Sequence, residues 1–303
     1  VRVVFLGTAG SFPTIDRGLP AIAVHRGKEL FLFDCGEGAQ RQMFIAQIGF
    51  RYPLRVFISH LHGDHVLGLP GLLQTMSLFN VTHPVEVYGP PGIHSFFQAI
   101  VDVFRFRLTF PLQVLEVTEG TVCDEEEYWV QAAWTEHRVP NLAYALLEKE
   151  RPGKFYPAQA RALGVPEGPL WSQLQHGLDV TLDDGRVIVP AQVVGPPRRG
   201  RKIVYSGDTK PCAALLALAR DADLLIHEAT VDDALAERAG QYGHSTPRQA
   251  ASLAKEANVK RLVLTHISMR YTDAEVLRQQ AAAIFPNVTV AEDFMELTVP
   301  YPD

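Results

Sequence analysis

A short apolar run, residues 55–59, leads without a break into His60-Leu61-His62-Gly63-Asp64-His65. Four side chains that bind metals well therefore stand at the C-terminal end of a buried strand, which is where α/β proteins place their sites. If the extended conformation continues through His60 and His62, both point to one side. Gly63 then permits the sharp turn that carries Asp64 and His65 to a second position. Two adjacent metal positions follow. The donors are imidazole and carboxylate without thiolate, a set that suits zinc first, with manganese or iron as alternatives. A lone histidine in a loop is most often a satisfied polar residue, but the joint HxHxDH spacing at a strand end favours the metal reading.

The surrounding pattern is a mixed α/β alternation. Residues 1–7, 21–25, 30–34, 55–59, 85–88, 112–117, 127–134 and 143–147 read as strands, with helices over 39–47, 66–79 and 93–104. Between residues 148 and 177 the rhythm breaks at Pro152-Gly153, Pro157, Gly164, Pro166, Gly168-Pro169 and Gly177, a composition that suits an extended arm better than a core. Asp183-Asp184-Gly185 then marks a hairpin, and alternation resumes to the end, with strands at 202–205, 224–227 and 262–265 and helices over 213–220, 247–257 and 274–284. Two similarly built halves flank the insertion.

Three later residues occupy the same kind of strand exit as the histidine cluster: His137, Asp208 and His266. Each has an ordinary alternative, as a surface-loop residue, a helix N-cap and a loop base respectively. Ser268 and Arg270 follow His266 closely enough to reach a phosphate, and Arg198, Arg199, Arg201 and Lys202 form a local basic cluster that either clasps RNA backbone or is simply solvated.

Composition sets the outer limits. The 303 residues, 47% hydrophobic and 20% charged, suffice for a large core. No apolar run approaches the roughly 18 residues needed to cross a bilayer, so a cytoplasmic location and no membrane partner are expected. Cys35, Cys123 and Cys212 lack CxxC spacing and suggest neither disulfides nor a thiolate site. A net charge of −6 argues against a broadly basic nucleic-acid binder and confines any RNA contact to local patches.

Further blocks accompany the cluster: Phe5-Leu6-Gly7-Thr8 with Pro13 and Arg17, Gly68-Leu69-Pro70-Gly71-Leu72-Leu73, Ser206-Gly207-Asp208-Thr209, His227-Glu228-Ala229-Thr230, Gly243-His244-Ser245-Thr246 and Thr265-His266-Ile267-Ser268-Met269-Arg270-Tyr271. With them the chain resembles the metallo-β-lactamase superfamily and, within it, the short form of the ribonuclease Z family, nearly end to end. The resemblance implies a four-layer αββα sandwich formed by residues 1–303 as a single domain, with residues 148–177 inserted as a flexible arm that grips the tRNA elbow. It implies two zinc ions per chain, one on His60, His62 and His137, the other on Asp64, His65 and His266, bridged by Asp208. It also implies a homodimer, and an endonuclease that cuts precursor tRNA near its 3′ end, after the discriminator nucleotide.

In that chemistry a metal-activated hydroxide attacks the phosphodiester, leaving a 3′-hydroxyl on the tRNA and a 5′-phosphate on the trailer. Asp64 serves partly as general base, and His244, oriented by Glu228, protonates the leaving oxygen. Glu228 has a competing reading, since a glutamate at a strand end can cap a helix or face solvent. Two rival functions share the motif: a hydrolase for small phosphodiesters or related substrates on the same fold, and a non-catalytic RNA-binding module with structural zinc.

Overall fold

The computed structural model describes residues 1–302, and these divide into two compact units. The larger comprises Val1–Asp124, Trp129–Leu147 and Lys202–Pro300. It contains two seven-stranded sheets. The first runs, in spatial order, Glu296–Thr298, Arg2–Gly7, Ala21–Arg26, Glu29–Phe33, Leu54–Phe57, Val85–Gly89 and Leu112–Glu116. The second runs Val288–Val290, Leu262–Thr265, Leu224–Glu228, Lys202–Tyr205, Asn141–Glu148, Tyr128–Thr135 and Gly120–Asp124. In each sheet the strands from the middle to one edge are parallel, from Glu29–Phe33 through Leu112–Glu116 in the first and from Lys202–Tyr205 through Val288–Val290 in the second.

Strand alternation sorts side chains into layers. In Glu29–Phe33 and Leu54–Phe57, Leu30, Leu32, Leu54 and Val56 join Met43, Leu69, Leu72 and Phe97 from helices in one apolar cluster. In the second sheet Val204, Leu225, Leu262 and Leu264 pack with Leu215, Ala250, Ala254 and Ala281 from helices in another. The opposite faces meet through aromatic rings. Phe33 lies 6.4 Å from Tyr144 and 5.9 Å from Tyr205, while Phe57 lies 5.4 Å from Tyr144 and stacks at 4.8 Å on Tyr88. The order is helices, sheet, sheet, helices, the expected αββα sandwich. Hydrogen bonds cross between the sheets near the strand ends, among them Leu142 N to Ser59 O at 2.9 Å and Tyr144 Oη to Ile58 O at 2.8 Å.

Some elements escape the sequence reading. Gly120–Asp124 is an additional antiparallel edge strand with a register shift, mostly exposed and hence without an apolar signature. The helix expected over residues 66–79 is two pieces, Gly63–Val66 and Gly68–Leu78.

The smaller unit, built mainly of Glu148–Arg201, extends beyond the expected arm boundary at residue 177. It has a core of its own, in which Ala160, Val165, Leu174, Val180, Ile188 and Val193 are buried with Phe155 and Trp171 against them. Pro157 and Pro169 begin the helices Pro157–Ala162 and Pro169–Gln175. Proline's fixed φ and missing N–H suit a first helical turn, so these prolines start structure here and do not break it. Arg201 makes a bidentate pair with Glu148, both contacts at 2.6 Å, and its guanidinium lies 3.7 Å from the centroid of the Tyr301 ring.

Phe57 sits where the two aromatic faces meet and is fully buried. Phe57→Ala should therefore destabilise the chain by about 3–5 kcal/mol, seen as a lower urea midpoint; an unchanged midpoint would contradict this account of the inter-sheet layer.

Candidate active site

The C-terminal ends of the parallel strands in both sheets converge on one cluster. In the first sheet, Glu29–Phe33 delivers Asp34, and Leu54–Phe57 delivers Ser59, His60 and His62, with Asp64 and His65 on the short helix Gly63–Val66. In the second, Lys202–Tyr205 delivers Asp208, Leu224–Glu228 ends on Glu228 with Thr230 beyond it, Leu262–Thr265 delivers His266, and Tyr128–Thr135, two places along the same sheet from Lys202–Tyr205, delivers His137. All seven residues singled out as ligands are brought together.

They form two groups. His62 Nδ1 lies 2.9 Å from His60 Nε2 and 3.3 Å from His137 Nε2. His65 Nε2 lies 3.3 Å from His266 Nε2, and Asp64 Oδ2 is 3.6 and 3.5 Å from those two nitrogens. Asp208 stands between the groups, its Oδ2 at 3.3 Å from His266 Nε2, 3.5 Å from His65 Nε2 and 3.9 Å from His60 Nε2.

Fixed hydrogen-bond partners decide which ring nitrogens carry protons. Asp34 Oδ2 accepts from Ser59 Oγ at 2.8 Å, so Ser59 Oγ accepts His60 Nδ1–H at 3.0 Å. His65 Nδ1–H donates to Asp34 Oδ2 at 2.7 Å, and His137 Nδ1–H to the Gly243 carbonyl at 2.8 Å. Thr230 Oγ1 donates to Glu228 Oε2 at 2.8 Å and accepts His266 Nδ1–H at 2.9 Å. In its neutral form each of these four imidazoles turns the lone pair of Nε2 inward; without an ion, and against the burial of its ring, Asp208 and Asp34 instead favour a proton on His65, a proton whose place a cation would take. Lone pairs facing one another at such distances repel unless cations lie among them, and the fixed Nδ1 partners are the usual outer support of metal-binding histidines. The buried Asp208 Oδ1 has no hydrogen-bond partner among the described residues, as expected of an oxygen reserved for an ion. The donor set fits divalent metal at both groups.

Backbone geometry tightens the site at two glycines. Gly243 has φ +77°, and a Cβ there would fall 2.9 Å from His137 Nδ1. Gly10, in a strand Ala9–Gly10 that pairs with Ile267–Ser268, would place a Cβ 2.8 Å from His266 Nδ1. This close approach lets Ser11 N donate to Asp64 Oδ2 at 3.0 Å. Gly63 plays a different part from the one expected. It opens the helix Gly63–Val66 with φ outside the left-handed region, and the helix start itself makes the turn.

Glu228 neither caps a helix nor faces solvent. It is 1% exposed and accepts His244 Nδ1–H at 2.9 Å and Thr209 N at 2.9 Å. Burial opposes protonation of His244, but Glu228, with Asp208 behind it, outweighs burial and pushes the imidazole up to about 9. Burial likewise opposes ionisation of Glu228, and the facing His244 holds its carboxyl below the ordinary range. Asp208 is not a helix cap either, since Cys212 holds the N-cap position of the next helix, Ala213–Ala219.

Ser268 and Arg270 line a cavity of about 290 Å³ that His244 also lines. The basic cluster divides. Arg199 is exposed, whereas Arg201 is spent on Glu148 and Tyr301, and Lys202 Nζ donates to Arg220 O at 2.8 Å. Arg201 therefore drops out of the set expected to meet RNA.

Asp34 heads the residues that sequence reasoning does not find, with Thr230 and Tyr205 beside it. It is fully buried, has φ +56°, and also accepts Ser59 N at 2.7 Å and Tyr205 Oη at 2.6 Å. Its only signal is an aspartate directly after an apolar strand, ahead of Cys35-Gly36. Asp34→Asn would turn an amide N–H₂ toward donors, so it should lower unfolding free energy on the order of 3 kcal/mol; wild-type stability in urea would contradict the assignment.

Comparisons with known proteins agree with this geometry. A model of the beta-lactamase superfamily domain matches residues 179–267, and a model of the anti-Pycsar protein Apyc1 matches residues 1–97. The ribonuclease Z of Methanosarcina acetivorans is 49% identical over 302 residues, 99% of each chain, and that of Methanothermobacter thermautotrophicus is 46% identical over 299 residues, 99% of this chain and 97% of its own. Among solved structures, human tRNase Z, short form, superposes with a TM-score of 0.74 at 32% identity, covering 99% of this chain and 100% of its own. With relatives this similar over essentially their whole length, the chain belongs to the ribonuclease Z family of the metallo-β-lactamase fold.

Proposed function

We propose that this chain is a metal-dependent endoribonuclease that cuts precursor tRNA after the discriminator nucleotide, leaving a 3′-hydroxyl on the tRNA and a 5′-phosphate on the trailer. The observation that carries the reading is the Glu228–His244 pair beside the two donor groups, in a chain 49% identical end to end to a ribonuclease Z. His60, His62 and His137 would hold one ion, and Asp64, His65 and His266 a second, with Asp208 shared. Zinc suits this set best. Such ions supply Lewis acidity and a bound water that ionises near neutral pH.

The chain's own groups do the rest. Asp64 Oδ2, fixed by Ser11 N at 3.0 Å, is placed to take a proton from the attacking water. His244 keeps Nδ1–H on Glu228, so its Nε2–H is the proton offered to the departing 5′-oxygen. Ser268 and Arg270 are available to the flanking phosphates. In the smaller unit, the exposed Arg199 together with Arg198 supports a grip on the folded part of the RNA by backbone and shape.

No helix among the described residues is long and apolar enough to cross a membrane. The proposed substrate supports a cytoplasmic location. A homodimer belongs to the same reading, supported by the exposed rings of Phe44 and Phe79, 5.6 Å apart, which make an apolar surface suited to self-association.

Mapping the cut on one precursor tRNA tests the reading: wild type should give a single cleavage with the stated ends, and Asp64→Ala should lose at least about 100-fold in rate. Hydrolysis of small diesters alone, with intact metal content, would sink it. The acid assignment makes a separate prediction. His244 is pushed up, so its proton is present at neutral pH and kcat should fall as pH rises through about 9. Glu228→Gln removes the principal charge that raises it and should move this alkaline limb to lower pH. A limb that stays in place would show that another group supplies the proton.

A further inference from the structure

Two antiparallel segments of the smaller unit, residues 148–156 and 193–201, form an irregular ribbon. Glu148 N donates to Arg201 O at 2.9 Å, Arg151 and Arg198 exchange backbone bonds at 2.9 and 3.0 Å, Gly195 N donates to Lys154 O at 2.8 Å, and Tyr156 N donates to Val193 O at 2.7 Å. Glycine permits this close approach, since a Cβ at Gly200 would collide with Glu148 O and one at Gly153 with Gly195 O. A lone two-stranded ribbon is marginally stable in water.

A third segment of the same unit crosses it at Tyr301. The guanidinium groups of Arg151 and Arg201 lie 3.8 and 3.7 Å from the centroid of the Tyr301 ring. Two groups that close to one centroid fit only on opposite faces, so the ring is gripped by one cation from each side of the ribbon. Arg151 Nη2 also donates to Pro302 O at 2.9 Å, and Arg201 is steadied by its bidentate bonds to Glu148. Between the two grips stand Arg198 and Arg199, the cations read above as meeting RNA. Arg198 is bound through its backbone to Arg151, and Arg199 is two residues from Arg201.

Resting on the nuclease reading above, we propose that Tyr301 is a positioning residue for the RNA, a clip that holds the ribbon in the one form that presents Arg198 and Arg199 to RNA phosphates. Without the clip the ribbon visits other forms, and RNA affinity falls with the fraction of chains still in the competent one. The chemical step has no share in this loss.

Steady-state cleavage of precursor tRNA and backbone hydrogen exchange, measured together on wild type, Tyr301→Leu, Tyr301→Phe and Arg151→Gln, test the proposal. Tyr301→Leu should raise KM about 5- to 30-fold, the worth of two partly exposed cation–π contacts, and leave kcat unchanged. The amides of Arg151 and Arg198 should exchange faster in that variant, while those of the buried strand Leu262–Thr265 keep their protection and show that the larger unit is folded. Tyr301→Phe retains the π face and should match wild type, whereas Arg151→Gln leaves one cation and should shift KM by a smaller factor. A wild-type KM in Tyr301→Leu would overturn the proposal, as would a loss confined to kcat or a Phe variant as impaired as the Leu variant. Should Tyr301→Leu fail to fold, Arg151→Gln decides by the same division between KM and kcat. A wild type that cleaves no precursor tRNA would bring down the nuclease reading instead, and the exchange data would still judge the clip, which falls if Arg151 and Arg198 exchange no faster in Tyr301→Leu.

Discussion

One buried carboxylate holds the two sheets and the site to a common geometry. Asp34 accepts from Ser59 N, Ser59 Oγ and His65 Nδ1 of the first sheet's exits and from Tyr205 Oη of the second sheet. Four short bonds on one group remove nearly all freedom from the rings that depend on it, because His65 is set directly and His60 through Ser59. The aromatic layer beneath does the coarse alignment, and Asp34 converts it into ring orientation. A carboxylate is required there: every partner donates, and no neutral side chain of similar size accepts on both atoms.

The second sheet repeats the device with other residues. Thr230 passes a hydrogen bond from His266 to Glu228, and the Gly243 carbonyl holds His137. Glu228 consequently has two duties, since its Oε2 steadies a ring of the donor cluster through Thr230 while its Oε1 binds His244. Proton donor and ion-holding ring are thereby referred to the same buried group, which ties the placement of the acid to that of the centre it serves.

How much of this could be read from the chain depended on whether the chemistry was contiguous. His60 to His65 lie in six consecutive residues, and His137, Asp208 and His266 each follow a recognisable strand, so the ligands and the layered α/β fold were legible. Asp34, Thr230 and Tyr205 were not, because their roles exist only once strands distant in sequence face one another. Exposed edges were missed for the opposite reason, since Gly120–Asp124 has little to bury and so carries no alternation. The helices of the insertion are hard to read from sequence because Pro157 and Pro169, residues that break helices elsewhere, here stand at first helical turns. Arg201 looked like a surface cation, and only the fold brings Glu148 and Tyr301 to it.

The segments around the cavity use backbone and side chain for different purposes. Ser11 N and Gly243 O steady Asp64 and His137, whereas the neighbouring side chains of Phe12 and Tyr242, which line the same cavity as His244, are exposed and carry none of those bonds. Drift at these exposed positions therefore leaves the catalytic scaffold untouched. What the cavity admits can thus change through outward side chains while the backbone bonds that hold the centre stay as they are.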